Sequence, residues 1–315
     1  MKMIRPDGLE RGDTIGVVSP ASPVLRGSAH LGAEYLRSLG FNVRFGRHAF
    51  DQNGYFSGNH SARLSDFNEF IRDPDIKAIF CTRGGYGAVY LLEKLDYGSL
   101  RRHPKIIMGA SDLTILLNVV SARTGLITFH GPMVAANFSK GRAAIHRDSF
   151  NTLLKGKIGP HSDNFGKIIL QARKVVRQGR ANGRLVGGCL SLLVSTLGTE
   201  YEIKTRHSIL FLEDVNEPPY RIDRMLKQLW DAGKFEGVRG VIFGDMLNCS
   251  DAKYSSMSAQ RVITSVLKNF SGPLVLGLSS GHTRRPFVTL PIGLPCRLET
   301  RAHPQLLFAQ APVRE

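Results

Sequence analysis

Through the first 130 residues, short apolar runs close on glycine, serine or aspartate and give way to stretches with helical spacing. Thr14–Ser19 reads as a strand, Pro20–Pro23 as a turn, and Gly27–Leu39 as a helix with its apolar residues on one face. Gly40 stops that helix and Phe41–Phe45 resumes as a strand. The pattern recurs with a helix over Ser61–Ile71 and a strand Ala78–Cys81 entering Thr82-Arg83-Gly84-Gly85-Tyr86-Gly87. A helix from Ala88 follows, then a strand Ile106–Met108 entering Gly109-Ala110-Ser111-Asp112, and a helix from Leu113. Strands alternating with helices predict a doubly wound α/β layer, a parallel sheet covered on both faces. Ligands of such sheets sit beyond the carboxyl ends of the strands, where both glycine-rich turns fall.

From about Ser139 to Arg184 the chain turns polar and basic, with Arg173, Lys174, Arg177, Arg180 and Arg184 close together. The expected division is therefore an N-terminal α/β domain over 1–150, a linker over 151–180 and a C-terminal domain over 181–315. Within the latter, Leu190–Leu197 and Tyr220–Ala232 read as helices, and Ser208–Leu212, Val238–Phe243 and Pro273–Leu278 as strands. Short apolar runs among prolines give this half a mixed α/β character. A length of 315 residues agrees with two domains that each bury a core.

Composition removes several classes. No apolar stretch approaches the ~20 residues that span a bilayer, and MKMIRPDGLERGD opens without the apolar core of a signal peptide. Cys81, Cys189, Cys249 and Cys296 are widely separated, with no paired spacing for zinc, so four reduced thiols and no metal are expected. Charge is the anomaly: 42 Lys and Arg against 26 Asp and Glu give +16, which raises nucleic acid as a partner. No helix-turn-helix, zinc-finger or aromatic RNA-binding signature supports that reading.

Candidate chemistry gathers at strand ends. Ser111 stands where a strand yields to a helix, so its hydroxyl is exposed and free helix amides lie behind it for an oxyanion. A Ser-Asp pair opening a helix also serves as an ordinary N-cap. Leu113 stands where the G-x-S-x-G elbow of α/β-hydrolases has its second glycine, so that family is not implied. The turn Arg83–Gly87 matches neither the Walker nor the dinucleotide pattern; amide donors for a carboxylate or oxyanion fit it better. A nucleophile needs a base and an orienting acid. His282 follows the strand Pro273–Leu278 in a small-residue turn, and Glu213 and Asp214 close the apolar run Ile209–Leu212. Each is open to a plainer reading, a surface histidine and solvated or capping carboxylates, and spacing does not show that they meet.

On these residues the chain resembles the LD-carboxypeptidases, the serine peptidases that include murein tetrapeptide carboxypeptidases and microcin self-immunity proteins. The blocks carrying the resemblance are Gly12–Pro23, Cys81–Gly87, Gly109–Thr114, Thr128–Met133, Leu185–Ser191, Leu210–Val215, Tyr220–Leu226, Gly281-His282 and Leu290–Gly293, in the family's order along nearly the whole chain. The resemblance implies a catalytic triad of Ser111 as nucleophile, Glu213 as orienting acid and His282 as general base. The backbone amides of Gly85 and Asp112 would form the oxyanion hole. It implies a flavodoxin-like N-terminal domain carrying the serine and a smaller C-terminal α/β domain carrying Glu213 and His282, with the active site between them. It further implies a cytoplasmic, metal-free and cofactor-free enzyme, often a homodimer. Two positions depart from the family: Cys189 replaces the more usual Asn, and Ala110 a bulkier residue before the nucleophile.

The reaction so implied is removal of the terminal D-Ala from a murein tetrapeptide during cell-wall recycling. Arg83 and the amide of Gly84 are candidates for the substrate's free α-carboxylate. Cleavage of a peptidyl- or aminoacyl-nucleotide, the microcin-immunity activity, is the alternative, but it asks for an aromatic platform, and the only tryptophan, Trp230, falls on the core pattern of its helix. Murein peptides carry several carboxylates, so the +16 charge steers substrate rather than nucleic acid. The expected outcome is a kcat/KM that falls as ionic strength rises, checked by a salt titration of steady-state rates; a flat profile would remove the steering role.

Overall fold

In the computed structural model, which describes residues 2–155, 167–169, 174–254, 256–301 and 304–314, the apolar runs of the first half become five parallel strands. They are β1 (Thr14–Val18), β2 (Asn42–Phe45), β3 (Ile76–Cys81), β4 (Ile106–Gly109) and β5 (Thr128–His130). Their order across the sheet is 2-1-3-4-5, the flavodoxin-like arrangement. A sixth strand, Leu290–Ile292, lies antiparallel on β5. Central strands are apolar without alternation because both faces are covered: Ile15, Val17, Ile79, Phe80, Ile106 and Met108 are all fully buried.

The covering helices are α1 (Arg26–Ser38), α2 (His60–Arg72), α3 (Tyr97–Arg102), α4 (Leu113–Thr124) and α5 (Arg147–Lys155). Asn59 starts α2 by accepting a bond from the Ala62 amide at 2.8 Å. Gly125, at φ +81°, ends α4 in the left-handed conformation. The helix expected from Ala88 is only the 3₁₀ turn Ala88–Leu91, and α3 starts at Tyr97. Ala88 and Leu91 of the 3₁₀ turn are buried, and the Asp96 carboxylate caps a new helix by accepting from the Ser99 amide.

Among the described residues the second sheet has eight strands: β6 (Lys167–Ile169), β7 (Lys174–Arg177), β8 (Arg180–Cys189), β9 (Ser208–Val215), β10 (Gly240–Leu247), β11 (Leu274–Leu278), β13 (Pro295–Glu299) and β14 (Gln305–Phe308), β12 being the Leu290–Ile292 strand of the first sheet. Strands β8, β9, β10 and β11 run parallel, flanked by antiparallel strands on both sides, so the sheet is mixed. Helices α6 (Leu190–Ser195), α7 (Pro219–Asp231) and α8 (Ala259–Val266) contribute Leu193, Leu226, Leu229, Val262 and Ile263 to its core, joined by Leu212 and Phe243 from the sheet.

The basic stretch expected as a linker carries structure. Along β8, Arg180, Asn182 and Arg184 are exposed while Ala181 and Leu185 are buried, the two-residue period of a half-buried strand. Its arginines read as polar linker because they supply that strand's solvent face. Arg173 lies outside the described residues. The chain forms two compact units: Met1–His161 with Pro286–Gly293 and Ala311–Glu315, and Ser162–Arg285 with Leu294–Gln310. Among the described residues no helix is long and apolar enough to cross a membrane.

Helix α1 packs backbone against backbone: a Cβ at Gly32 would overlap the Val134 carbonyl. Alanine gains up to ~1 kcal/mol of helix propensity over glycine, whereas overpacking costs ~1–3 kcal/mol. Gly32→Ala is therefore expected to lower the thermal midpoint, measured by calorimetry or far-UV circular dichroism.

Candidate active site

Strand β4 ends at Gly109 and α4 begins at Leu113, leaving half-buried Ser111 at the tip of the turn between buried Ala110 and buried Asp112. Ser111 has φ +60°, a conformation few non-glycine residues adopt. Such strain at a strand-to-helix turn is the geometry of a nucleophile elbow, which projects the side chain away from the sheet. The glycine loop after β3 comes up against it. A Cβ at Gly84 would lie 2.6 Å from the Ser111 Cβ, 2.7 Å from its Oγ and 3.1 Å from the Asp112 amide nitrogen. Only glycine leaves room for the hydroxyl here.

Gly85, exposed and at φ +118°, stands next in the loop. The β1 turn supports it: the Tyr86 amide donates to Ser22 Oγ at 3.0 Å. Asp112 is 1% exposed, and its Oδ2 accepts the Ala88 amide at 2.8 Å. Burial pushes its carboxyl up to about 6, against the pull of the Ala88 and Gly87 amides and of Arg63. Arg63, 2% exposed on α2, donates from Nη1 to the Gly87 carbonyl at 2.9 Å and to the Pro20 carbonyl. Arg83 is exposed, with a long 3.5 Å bond to the Pro23 carbonyl.

In the other unit, strand β9 runs on past the expected Leu212 through Glu213 and Asp214. Glu213 is fully buried, and one oxygen, Oε2, accepts both the His282 backbone amide at 2.8 Å and the His282 Nδ1 proton at 2.9 Å. Glycine again makes the approach possible. A Cβ at Gly281, where φ is +84°, would overlap the Glu213 carboxyl, and one at Gly244 would lie 2.8 Å from its Cβ. Burial pulls the His282 pKa down, but the Glu213 hydrogen bond, with the charges of Glu213 and Asp214, outweighs it and the net direction is up. Nδ1 is committed to Glu213, so Nε2 is the ring atom left for proton transfer.

The loop carrying His282 is tied down on its far side. Thr283 Oγ1 donates to Asp245 Oδ2 at 2.7 Å, and Arg285 donates to both Asp245 oxygens, from Nη2 at 2.8 Å and Nε at 3.2 Å. Asp214 accepts the Ser191 amide at 2.8 Å, fixing the start of α6 against β9. Cys189, paired in register with Glu213, is buried beside Ser191 Oγ at 3.4 Å. Burial and then the Glu213 and Asp214 charges hold its thiol well above the ordinary range, so it stays protonated.

Among the sequence candidates, the structure brings Glu213 onto His282, and Gly84 onto Ser111 and Asp112. Ser111, Gly85 and Asp112 belong to the first unit; Glu213 and His282 belong to the second. Sequence reasoning missed Arg63, Asp245 and Arg285. A signal existed for the first: Arg63 and Asp66 share the buried stripe of α2 with Phe67, Phe70 and Ile71, a charged pair on an apolar face. Nothing in the spacing marked Asp245, whose partners lie about forty residues ahead.

Two family models match the chain, the LD-carboxypeptidase N-terminal domain over residues 15–131 and the LD-carboxypeptidase C-terminal domain over residues 182–298. A probable murein peptide carboxypeptidase of Bacillus subtilis is 36% identical, over 94% of this chain and 92% of its own. The microcin C7 self-immunity protein of Escherichia coli is 31% identical over 91% of each chain. A muramoyltetrapeptide carboxypeptidase structure from Oxalobacter formigenes superposes with a TM-score of 0.83 at 26% identity, covering 95% of this chain and 100% of that one.

The His282–Glu213 pair makes a prediction independent of any substrate. In the folded protein the Glu213 hydrogen bond and the nearby carboxylate charges hold the imidazole pKa above the ordinary histidine value. A raised histidine pKa contributes stability that is complete below the unfolded value and lost as pH rises through the folded one. In Glu213→Gln the burial remains while the carboxylate is gone, so the imidazole midpoint falls below that of wild type, as read by NMR titration of the ring protons.

Proposed function

Since the chain belongs to the LD-carboxypeptidase family, we propose that it is a serine carboxypeptidase hydrolysing the L,D amide bond between the diamino acid and the terminal D-Ala of a murein tetrapeptide. The observation that carries the chemistry is the double acceptance by one sealed Glu213 oxygen from the backbone and ring of His282. That arrangement fixes the imidazole's tautomer and orientation, which a general base for a serine requires.

In this reading His282 takes the proton from Ser111 as Oγ attacks the carbonyl carbon of the diamino acid. The negative charge collects on the carbonyl oxygen, held by the amides of Gly85 and Asp112. Such donors contribute roughly 3–4 kcal/mol each to the transition state. Protonated His282 then gives its proton to the leaving nitrogen and D-Ala departs. Water, deprotonated by His282, attacks the acyl-enzyme and restores the serine. Glu213 holds the ring in place and stabilises the imidazolium. Arg83, exposed beside the glycine loop, is assigned to the substrate's α-carboxylate, with the Gly84 amide. By the same kinship the enzyme acts in the cytoplasm on recycled wall peptides, as a homodimer, with no metal or cofactor.

The microcin-immunity reading ranks below this one on a specific ground. Trp230 packs against Phe235 at 5.4 Å, at the edge of the second unit's core. Its half-buried indole is thus turned to that core, as its place on the helix led one to expect.

The deciding assay supplies L-Ala-γ-D-Glu-meso-diaminopimelyl-D-Ala, with an all-L control peptide, and measures free D-Ala. Wild type is expected to release D-Ala from the first alone, and Ser111→Ala to lose at least ~10⁴-fold in kcat. Equal release by the variant would sink the nucleophile assignment. The acid limb of kcat/KM is expected to lie higher than an ordinary histidine would place it, because His282 must be neutral to act as base and its pKa is raised.

A further inference from the structure

The chemistry above uses only the backbone amide of Asp112 and leaves its carboxylate without a task. That carboxylate is buried and sits at the N-cap position of α4, yet it makes no capping bond to its own helix. It reaches instead across to the glycine loop, where Oδ2 accepts the Ala88 amide at 2.8 Å and the Gly87 amide lies within its hydrogen-bonding reach. The Gly87 carbonyl, on the other side of the same residue, accepts Arg63 Nη1 at 2.9 Å. The loop end is thus gripped from the elbow and from α2.

The grip matters because of what lies between the fixed points. Gly84 abuts Ser111, Gly87 is held by Asp112 and Arg63, and Gly85, the assigned oxyanion donor, sits between them. Gly85 and Gly87 have φ of +118° and +124°. Three glycines in the Gly-Gly-Tyr-Gly segment give it large conformational freedom, so without anchors the Gly85 amide would wander. Oxyanion stabilisation depends on donors fixed in advance of the reaction.

We propose that the Asp112 carboxylate, with buried Arg63 as its counter-charge, is the positioning residue of the oxyanion hole, locking the glycine loop to the nucleophile elbow so that two amides converge on one oxygen. The proposal rests on the reading of Ser111 as nucleophile. One residue then supplies one donor through its backbone and sets the other through its side chain.

The surroundings fit a charged clamp rather than a packing filler. Arg63 Nε and Nη2 are buried with no hydrogen-bond partner among the described residues, and its guanidinium lies 4.9 Å from the Phe56 ring centroid. Its charge is answered by the Asp112 field and by the Pro20 and Gly87 carbonyls that Nη1 reaches. The titratable or charged groups whose fields couple to this pair are Cys81 at the end of β3, His60 at the start of α2, and Tyr86 and Tyr90 beside the loop. With its carboxyl raised to about 6, Asp112 gains a proton as pH falls below that value and the clamp weakens.

The test compares wild type, Asp112→Asn, Arg63→Lys and Ser111→Ala on the same tetrapeptide, with thermal midpoints and amide hydrogen exchange over 84–88. Asp112→Asn is expected to lower kcat ~10²-fold with KM within ~3-fold, and to speed exchange at 85–88. It should also reduce the acid limb of kcat from two ionisations to one. Arg63→Lys, which keeps the charge and loses the bridging geometry, should fall between it and wild type, and decides the matter if Asp112→Asn does not fold. A wild-type kcat in the folded variants, or a loss confined to KM, overturns the proposal. If Ser111→Ala is inactive while Asp112→Asn is unimpaired, the clamp alone is wrong; if Ser111→Ala remains active, the nucleophile reading has failed.

Discussion

A methyl group at position 84 would collide with the Ser111 side chain, and one at position 281 would overlap the Glu213 carboxyl. Both collisions occur just beyond the carboxyl end of a parallel strand, where a side chain must stand clear of the sheet and yet be met at hydrogen-bonding distance by a neighbouring turn. Side chains with a Cβ cannot approach each other's backbone that closely, so glycine is the condition for both of these approaches. The positive φ values of Gly85, Gly87 and Gly281 are the second half of the same constraint, because these turns bend in a sense that L residues resist.

Freedom bought with glycine has to be removed again by bonds, and the two units do this alike. Each uses a buried carboxylate that accepts amides from a glycine-bearing turn: Asp112 for the loop at 87–88, Glu213 for the turn at 281–282. Each also has an arginine fixing the turn, Arg63 through carbonyls and Arg285 through Asp245. Buried carboxylates are a poor source of net stability. Their value here is geometric, since an ionised carboxylate accepts several amides at once from a fixed position.

How much of this the sequence disclosed depends on the range of the interaction. Strands β1, β3 and β4 and helix α1 were legible because apolar runs, glycine stops and helical spacing are local. Ser111 was legible as the tip of a strand-to-helix turn. The bond between Glu213 and His282 was not, since nothing local links residues sixty-nine apart; only likeness to a family joined them. Arg180 and Arg184 misled because a basic solvent face on a strand looks like a polar linker when the alternating buried residues are small. The extent of the 3₁₀ turn at Ala88 was hidden because its apolar residues suit either helix type. β12 escaped notice for a different reason: three residues, one of them proline, make too short a run to stand out, and their partner strand lies about 160 residues earlier.

That short strand also sets an order of events during synthesis. The first sheet is not finished when residue 130 leaves the ribosome, because the strand that covers the far side of β5 is Leu290–Ile292. Until then β5 is an unprotected sheet edge, a template for pairing with other nascent chains. The whole second unit up to Arg285 is made during that interval. A ribosome that stalls or terminates before residue 290 therefore releases a chain that carries the serine elbow on an open-edged sheet.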